Sequence, residues 1–399
     1  MDGSQMLTWG LMVIQIPAIA ILLFRLLKGP FRHAPIQPQS AALEMLGTVS
    51  VVVPTLNERD RLWPCLEGLT RQSYEVREVL VVDSHSTDGT GDLVLQTAAK
   101  DPRFRLLHDD PLPPDWVGRP WALHTGFLHS SPKSEWILGI DADTQPHPGL
   151  VAGLIKMAEA EGYDLVSLSP RFILEYPGEC WLQPALLMTL VYRFGPTGTV
   201  ESADRVMANG QCFLTRRRVL EELEGYTTAK SSFCDDVTLA RIAAQRGFKV
   251  GFWDGAPVLK VRMYEGAWQT WQEWGRSLDL KDATSPWQLW TDLWFLFSVQ
   301  GLPLAVIIFG IIGAFPEGII SQTLVNLNLA LLAIRFALGF AIFPSYDLSQ
   351  ARFSLLFWFS PLADPLAFFR ILQSSFQTSI QWRGRTYSAL RGNGQKGNG

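Results

Sequence analysis

Between residues 49 and 140 the chain repeats one pattern, a short apolar run followed by a polar break and then a stretch of helix length. Val49-Ser-Val-Val-Val53 predicts a buried strand, residues 60–72 a helix and residues 78–82 the next strand. Residues 91–100 then read as helix, 104–107 as extended, 121–128 as helix and 136–140 as strand. Strand and helix in strict succession imply a mainly parallel sheet, because parallel neighbours need a crossover lying on one face. The expected class is therefore α/β, with helices on both faces. Ligands of such sheets bind beyond the carboxyl ends of the strands, where this chain places its polar groups.

The first strand ends in Pro54-Thr55-Leu56-Asn57-Glu58, and the second in Asp83-Ser84-His85-Ser86-Thr87-Asp88-Gly89-Thr90. Two neighbouring strand ends with amides, hydroxyls and an Asp suit a nucleotide's base and ribose. They also suit ordinary turns in which Thr55, Asp83 and Asp88 cap and shape loops. The run over 136–140 ends in Asp141-Ala142-Asp143. Alternation along an extended chain puts both carboxylates on one side, a donor set that hard divalent cations prefer. A capping pair for the loop over 144–148 is the alternative. Asp235-Asp236 opens a further helical stretch, where a carboxylate complements the helix dipole and a second one raises the pair's affinity for protons.

Residues 7–27 are apolar apart from Gln15 and Arg25, long enough for the ~30 Å hydrocarbon core. Lys and Arg are missing before them, while Arg25, Lys28 and Arg32 follow, so residues from about 28 onward are expected in the cytoplasm. The segment reads as an anchor rather than a cleaved signal. Residues 293–315 and 319–343 could each cross, and 353–372 is a third candidate weakened by Pro361, Asp364 and Pro365. Arg383, Arg385, Arg391 and Lys396 in the tail favour the cytoplasm, so the third segment is expected to lie in the interface or re-enter, with a full span as the alternative. The expected organisation is an anchor over 1–28, a linker over 29–47, an α/β domain over 48–285, a membrane region over 286–375 and a basic disordered tail over 376–399. The 15 Trp and 23 Phe suit a bilayer surface. A net charge of −4 speaks against nucleic acid, and four scattered cysteines read as ordinary reduced thiols.

Taken in order, Pro-Thr-Leu-Asn-Glu, Val-Val-Asp-x-x-Ser-Thr-Asp-Gly-Thr, Asp-Ala-Asp and the later acidic pair resemble family 2 glycosyltransferases of the GT-A fold, over roughly residues 48–280. The resemblance implies donor binding by Pro54, Thr55, Glu58, Asp83 and Asp141, and a Mg²⁺ or Mn²⁺ ion held by Asp141 and Asp143. It makes Asp236 the base for the acceptor hydroxyl, with Asp235 its neighbour. Ser84 and His85 stand where the family commonly has Asp and Gly, which leaves the choice between UDP- and GDP-sugars open.

Asp115-Trp116-Val117-Gly118-Arg119-Pro120-Trp121-Ala122 resembles the Trp-x-Gly-Lys-x-Trp-Ala segment of a subgroup acting on carotenoids, hopanoids and related polyisoprenoids. Arg119, in place of Lys, is expected to pair with the donor's diphosphate; Trp116 and Trp121 are expected on the acceptor side or as packing anchors. Residues 179–194 suit an interfacial helix, with Trp181, Leu186, Met188 and Tyr192 towards lipid and Arg193 at headgroups, or equally a core helix. The run 208–214 matches the family's acceptor-side strand and implicates Gly210 and Gln211. Polysaccharide synthases carry Gln-x-x-Arg-Trp where this chain has Gln272-Glu-Trp-Gly-Arg276; that departure speaks against processive synthesis and leaves Arg276 to neutralise phosphate.

The resemblance thus implies an inverting, metal-dependent transfer from a nucleotide sugar to a membrane-lipid hydroxyl, foremost a carotenoid 2′-hydroxyl. A hopanoid, polyprenyl phosphate or glycerolipid acceptor is the alternative. A degenerate transferase domain serving as a membrane scaffold is the non-enzymatic reading.

Overall fold

The computed structural model describes residues 3–274 and 278–377, together with the backbone of 379–382 and 385–388. A long apolar helix, α1 (Gly3–Leu26), precedes the first repeat of strand and helix: β1 (Val49–Thr55), α2 (Arg59–Thr70), β2 (Val76–Asp83), α3 (Thr90–Ala98), β3 (Phe104–His108), α4 (Gly118–His129) and β4 (Trp136–Ile140). The domain continues through β5 (Thr144–Pro146), α5 (Leu150–Glu161), β6 (Leu165–Ser169), β7 (Arg171–Ile173) and α6 (Pro177–Phe194). It closes with β8 (Cys212–Arg216), α7 (Arg217–Glu222), α8 (Asp235–Gln245), β9 (Val250–Asp254), β10 (Leu259–Val261) and α9 (Gly266–Gln269). Instead of standing apart, the expected linker lies along the domain, Ile36 N donating to Asp254 O at 2.9 Å and Gln39 N to Gly149 O at 3.1 Å.

Seven strands form the main sheet in the order β3-β2-β1-β4-β8-β6-β9. β1 is parallel to β2 and β4, β2 to β3 and β6 to β9, while β8 runs against both its neighbours. The α/β expectation holds. Alternation along β1 builds both faces. Val49, Val51 and Val53 meet Leu62, Leu66 and Leu69 of α2 and Leu150 and Leu154 of α5. Val52 faces the other way, towards Ala122, Leu123 and Phe127 of α4 and, beyond them, α8. Gly126 is what lets α4 come that close: a Cβ there would sit 2.2 Å from Val52 Cγ1.

After the domain, α10 (Pro286–Leu296), a π-helical turn (Phe297–Gly301) and α11 (Pro303–Ile311) run nearly end to end, and α12 (Ile319–Ile342) returns against them. Gln15 of α1 and Asn328 of α12 exchange two amide hydrogen bonds of 2.9 Å, so the polar break in the apolar helix has a buried partner. The chain then rejoins the domain. β11 (Tyr346–Asp347) extends a second sheet of order β11-β7-β10-β5. A 3₁₀ helix (Ser354–Ala363) and α13 (Asp364–Phe376) follow. Among the described residues, four segments are long and apolar enough to cross a bilayer: Gly3–Phe31, Pro286–Ile311, Ile319–Ser345 and Ser354–Phe376. The last is fastened to the domain along its length. Trp181 Nε1 donates to Phe359 O at 3.2 Å, Arg370 Nε to Trp271 O at 2.7 Å, and Lys281 Nζ to Ser374 O at 3.0 Å.

One of the two readings of α6 holds, and the expectations for Arg193 and the tail change. α6 is a core helix: Leu186, Met188 and Tyr192 are buried in the cluster that joins the domain to the membrane helices. Arg193, expected at headgroups, is buried too; its Nε donates to Thr189 O at 3.2 Å, and its Nη1 lies 3.8 Å from Asp292. Apolar composition alone does not distinguish lipid from protein as the neighbour. The tail expected to be disordered pairs β12 (Ser379–Trp382) with β13 (Arg385–Ser388). Arg276 and the last residues of the tail lie outside the described residues.

Candidate active site

The carboxyl ends of β1 and β4 open into a cleft of about 700 Å³, which also receives the start of α8 and the turn before β8. Glu58, Arg119, Asp141, Asp143, Gly210, Gln211, Asp235 and Asp236 all line it. Sequence reasoning named each of these, from stretches far apart in the chain.

Asp141 and Asp143 sit on a turn rather than on an extended strand. The Asp141 carbonyl accepts from Thr144 Oγ1 at 2.7 Å and Thr144 N at 3.3 Å, bending the chain as it enters β5. The turn still points both residues into the cleft. Among the described residues no group of three or more His, Cys, Asp or Glu gathers as a metal cage. Two hard carboxylates suit Mg²⁺ or Mn²⁺ when the remaining ligands are phosphate oxygens or water, the arrangement Mg²⁺ generally takes.

Arg119 occupies the middle. α4 begins at Gly118, ahead of the expected Trp121, and places Arg119 in its first turn. Nε donates to Asp141 Oδ1 at 3.0 Å, Nη1 to Asp235 Oδ2, and Nη2 to the Gly210 carbonyl at 2.6 Å. The guanidinium expected to hold diphosphate is therefore engaged by the protein's own carboxylates, because its fork matches two separate acceptors. A Cβ at Gly210 would lie 2.4 Å from Nη2, so a larger residue there would displace the guanidinium.

At the start of α8 the two acids differ. Asp235 is buried against Arg119, whereas Asp236 is partly exposed to the cleft and accepts from Val237 N at 2.9 Å. Burial raises the proton affinity of both; Arg119 opposes that rise, and for Asp235 the neighbouring acids add to it. A partly exposed carboxylate with raised basicity is a suitable proton acceptor. The cysteines are not. All four are buried, and burial pushes Cys65 up to about 12 and Cys180 to about 11.

The expected nucleotide residues divide. Glu58 lines the cleft, but Pro54, Thr55 and Asp83 are not among its lining residues. Thr55 Oγ1 donates to Asp83 Oδ1 at 3.2 Å, and Asp83 accepts from Ser86 N at 3.1 Å and from Ser86 Oγ, contacts that shape the loop after β2. His85, standing where the family commonly has Gly, adopts φ 63°, the left-handed region that favours glycine. Trp116 and Trp121 pack edge to face at 5.0 Å, and Trp181 is on α6; the three lie outside the cleft lining, so packing is their observed role. Asn57, Arg61, Asn209 and Tyr264 line the cleft and were not singled out. Asn57 and Asn209 lie inside quoted motifs, and Arg61 is a short step past Glu58, but nothing in the sequence marks Tyr264 as a neighbour.

The sheet order, with the cleft at the strand ends, is that of a GT-A-like α/β domain. Residues 50–224 match the family model described as glycosyl transferase family 2. The chain is 25% identical over 238 residues to the 4,4'-diaponeurosporenoate glycosyltransferase of Staphylococcus haemolyticus, a match covering 59% of this chain and 62% of that one. It is 33% identical over 127 residues to the undecaprenyl-phosphate mannosyltransferase of Micrococcus luteus, covering 31% and 48%. These matches span less than two thirds of either relative. Among solved structures, the mannosyltransferase PcManGT from Pyrobaculum calidifontis, in complex with GDP-Man and Mn²⁺, superposes with a TM-score of 0.51 at 20% identity. That alignment covers 89% of this chain and 99% of the other, a likeness of fold.

Proposed function

We propose that this chain transfers a sugar from a UDP- or GDP-linked donor to a hydroxyl of a membrane lipid at the cytoplasmic face. The observation that carries the reading is the convergence of Asp141, Asp143 and the partly exposed Asp236 on one cleft. The acceptor oxygen forms a bond to the anomeric carbon as the bond from that carbon to the β-phosphate oxygen breaks. The bonding electrons leave with the nucleoside diphosphate, and the hydroxyl proton passes to Asp236. In-line displacement inverts the anomeric configuration. Asp141 and Asp143 would hold a divalent cation, which would neutralise charge on the departing diphosphate. Arg119 keeps Asp141 and Asp235 at fixed separation while this happens.

A carotenoid hydroxyl, of the 2′ type, is the preferred acceptor; the relative named for diaponeurosporenoate, a carboxylate by its name, supports a carotenoid chain but not the hydroxyl. The relative named for undecaprenyl phosphate supports a polyprenyl phosphate as the second reading. The four apolar segments support an integral membrane protein, and the Lys and Arg after α1 support a cytoplasmic domain. The hydrogen bonds that fasten the segment after β11 to the domain favour two crossings after residue 286, with that segment at the interface. A scaffold would have no need of Asp141, Asp143 and Asp236 together.

The test is purified full-length protein with Mg²⁺ or Mn²⁺, radiolabelled UDP- and GDP-sugars, and a hydroxylated carotenoid. Label in the pigment fraction is the expected result. Nucleotide-sugar binding with no label in any lipid would overturn the reading.

A further inference from the structure

Asp236 borders a second space. An apolar cavity of about 580 Å³ meets the cleft at Asn209, Asp236 and Tyr264, which line both. That volume is within the ~300–1,000 Å³ range of ligand sites. From Asp236 the cavity extends to Leu26 at the end of α1 and to Leu338 and Ala341 near the end of α12, two of the helices able to cross a bilayer. One stripe of α6, Leu187, Leu190, Val191 and Phe194, forms part of its wall on the domain side. The spacing i, i+3, i+4, i+7 places them on a single helical face. Leu186, Met188 and Tyr192 are buried in the core, whereas Leu187, Leu190 and Val191 remain partly exposed, towards the hollow.

The charges around the cavity are as informative as its apolar wall. Among the described residues its charged lining groups are Arg32, Glu201, Asp236 and Asp254. Arg32 lies 3.6 Å from Asp254, and Glu201 is held by Lys28 at 2.7 Å. An anionic head brought to Asp236 would thus meet a second negative charge. Among the described residues both lining acids other than Asp236 already hold the nearby cations, Arg32 and Lys28, which makes that charge costly in an apolar enclosure. A hydroxyl has no such penalty and donates directly to the carboxylate.

We infer that this cavity is the acceptor site, and that it takes a long-chain lipid with an uncharged hydroxyl head, admitted from the bilayer at the ends of α1 and α12. The inference rests on the transferase reading and narrows it, separating lipid alcohols from lipid phosphates and carboxylates. The apolar chain lies along the α6 stripe, and the hydroxyl reaches Asp236 where the cavity joins the donor cleft.

The test uses full-length protein in nanodiscs with a long-chain isoprenoid alcohol and, separately, its monophosphate. The alcohol should be glycosylated with a kcat/KM at least about tenfold above that of the monophosphate, a difference of about 1.4 kcal/mol. Val191→Trp and Ala341→Trp should each raise the KM for the alcohol by about tenfold or more. Ile311→Trp, on the exposed side of α11, should match wild type. A photoreactive diazirine alcohol on wild-type protein should label the peptide spanning 187–194, and this arm does not depend on the variants folding. Preference for the monophosphate, equal KM values in all variants, or labelling confined to other peptides would each overturn the cavity assignment. Wild-type protein that shows a thermal shift with nucleotide sugar and labels at 187–194, yet transfers to neither lipid, would instead refute the transferase reading.

Discussion

Arg119 donates from Nε to Asp141 at 3.0 Å, and so joins the carboxylate expected to face the metal to the helix that opens with Gly118. Its second arm reaches Asp235. One guanidinium therefore sets the distance between the donor side of the cleft and its acid pair.

Replacing Arg119 by Met leaves the buried carboxylate of Asp235 and the half-buried one of Asp141 without their cation. Breaking a buried pair in this way costs about 3–5 kcal/mol. Arg119→Met should lower the thermal midpoint markedly and abolish transfer. Arg119→Lys should recover most of the stability and only part of kcat, since a point charge cannot serve both carboxylates in fork geometry. Calorimetry alongside turnover decides it, and a fully stable Arg119→Met protein would sink the idea.

Asp236→Asn should lower turnover by roughly 10²–10⁴, the usual contribution of a positioned general base. Nucleotide-sugar binding, read as protection against thermal unfolding, should persist. Near-normal turnover would remove Asp236 from the base role.

Acid should silence the enzyme earlier than an ordinary carboxylate predicts. Burial raises the proton affinity of Asp235 and Asp236, so the acid limb of kcat should lie above the usual Asp value of about 3.9. Because Arg119 opposes the rise, Arg119→Lys should leave the limb near its wild-type position. The linkage to stability has a definite sign. A raised folded-state value means that the native chain holds protons which the unfolded chain has released. The pair's contribution is full below the unfolded value of about 3.9 and is lost as pH rises through the folded value. A pH–rate profile and metal-free melting curves measure both effects; a limb at or below about 3.9 would refute the argument.

Gly126→Ala should destabilise by about 1–3 kcal/mol through overpacking, because the added methyl meets Val52 inside a filled core. Gly126 is not among the residues lining the cleft, so KM for the donor should be unchanged. Denaturant melts and steady-state kinetics separate the two effects.

The order of β1, α2, β2, α3, β3, α4 and β4 was legible because alternation and helical periodicity are local properties of the chain. The acidic residues of the cleft were legible for a related reason: each stands at a strand end or helix start that its own neighbours define. The role of Arg119 was not. Its partners at 141, 210 and 235 come from separate elements, and a guanidinium suits a phosphate and a carboxylate equally until the fold decides which is nearer.

α6 shows the same limit from the apolar side. By itself its composition admits lipid, core or cavity as neighbour, and only packing against α1, α13 and the domain settles the choice. Leu186, Met188 and Tyr192 became core, while Leu187, Leu190 and Val191 were left facing a hollow. Sequence alone determined the strands and helices between residues 49 and 140, which later segments are apolar and where carboxylates cluster. Tertiary structure decided which charges neutralise one another and which apolar face stays open, because both depend on distances between residues that the chain order does not constrain.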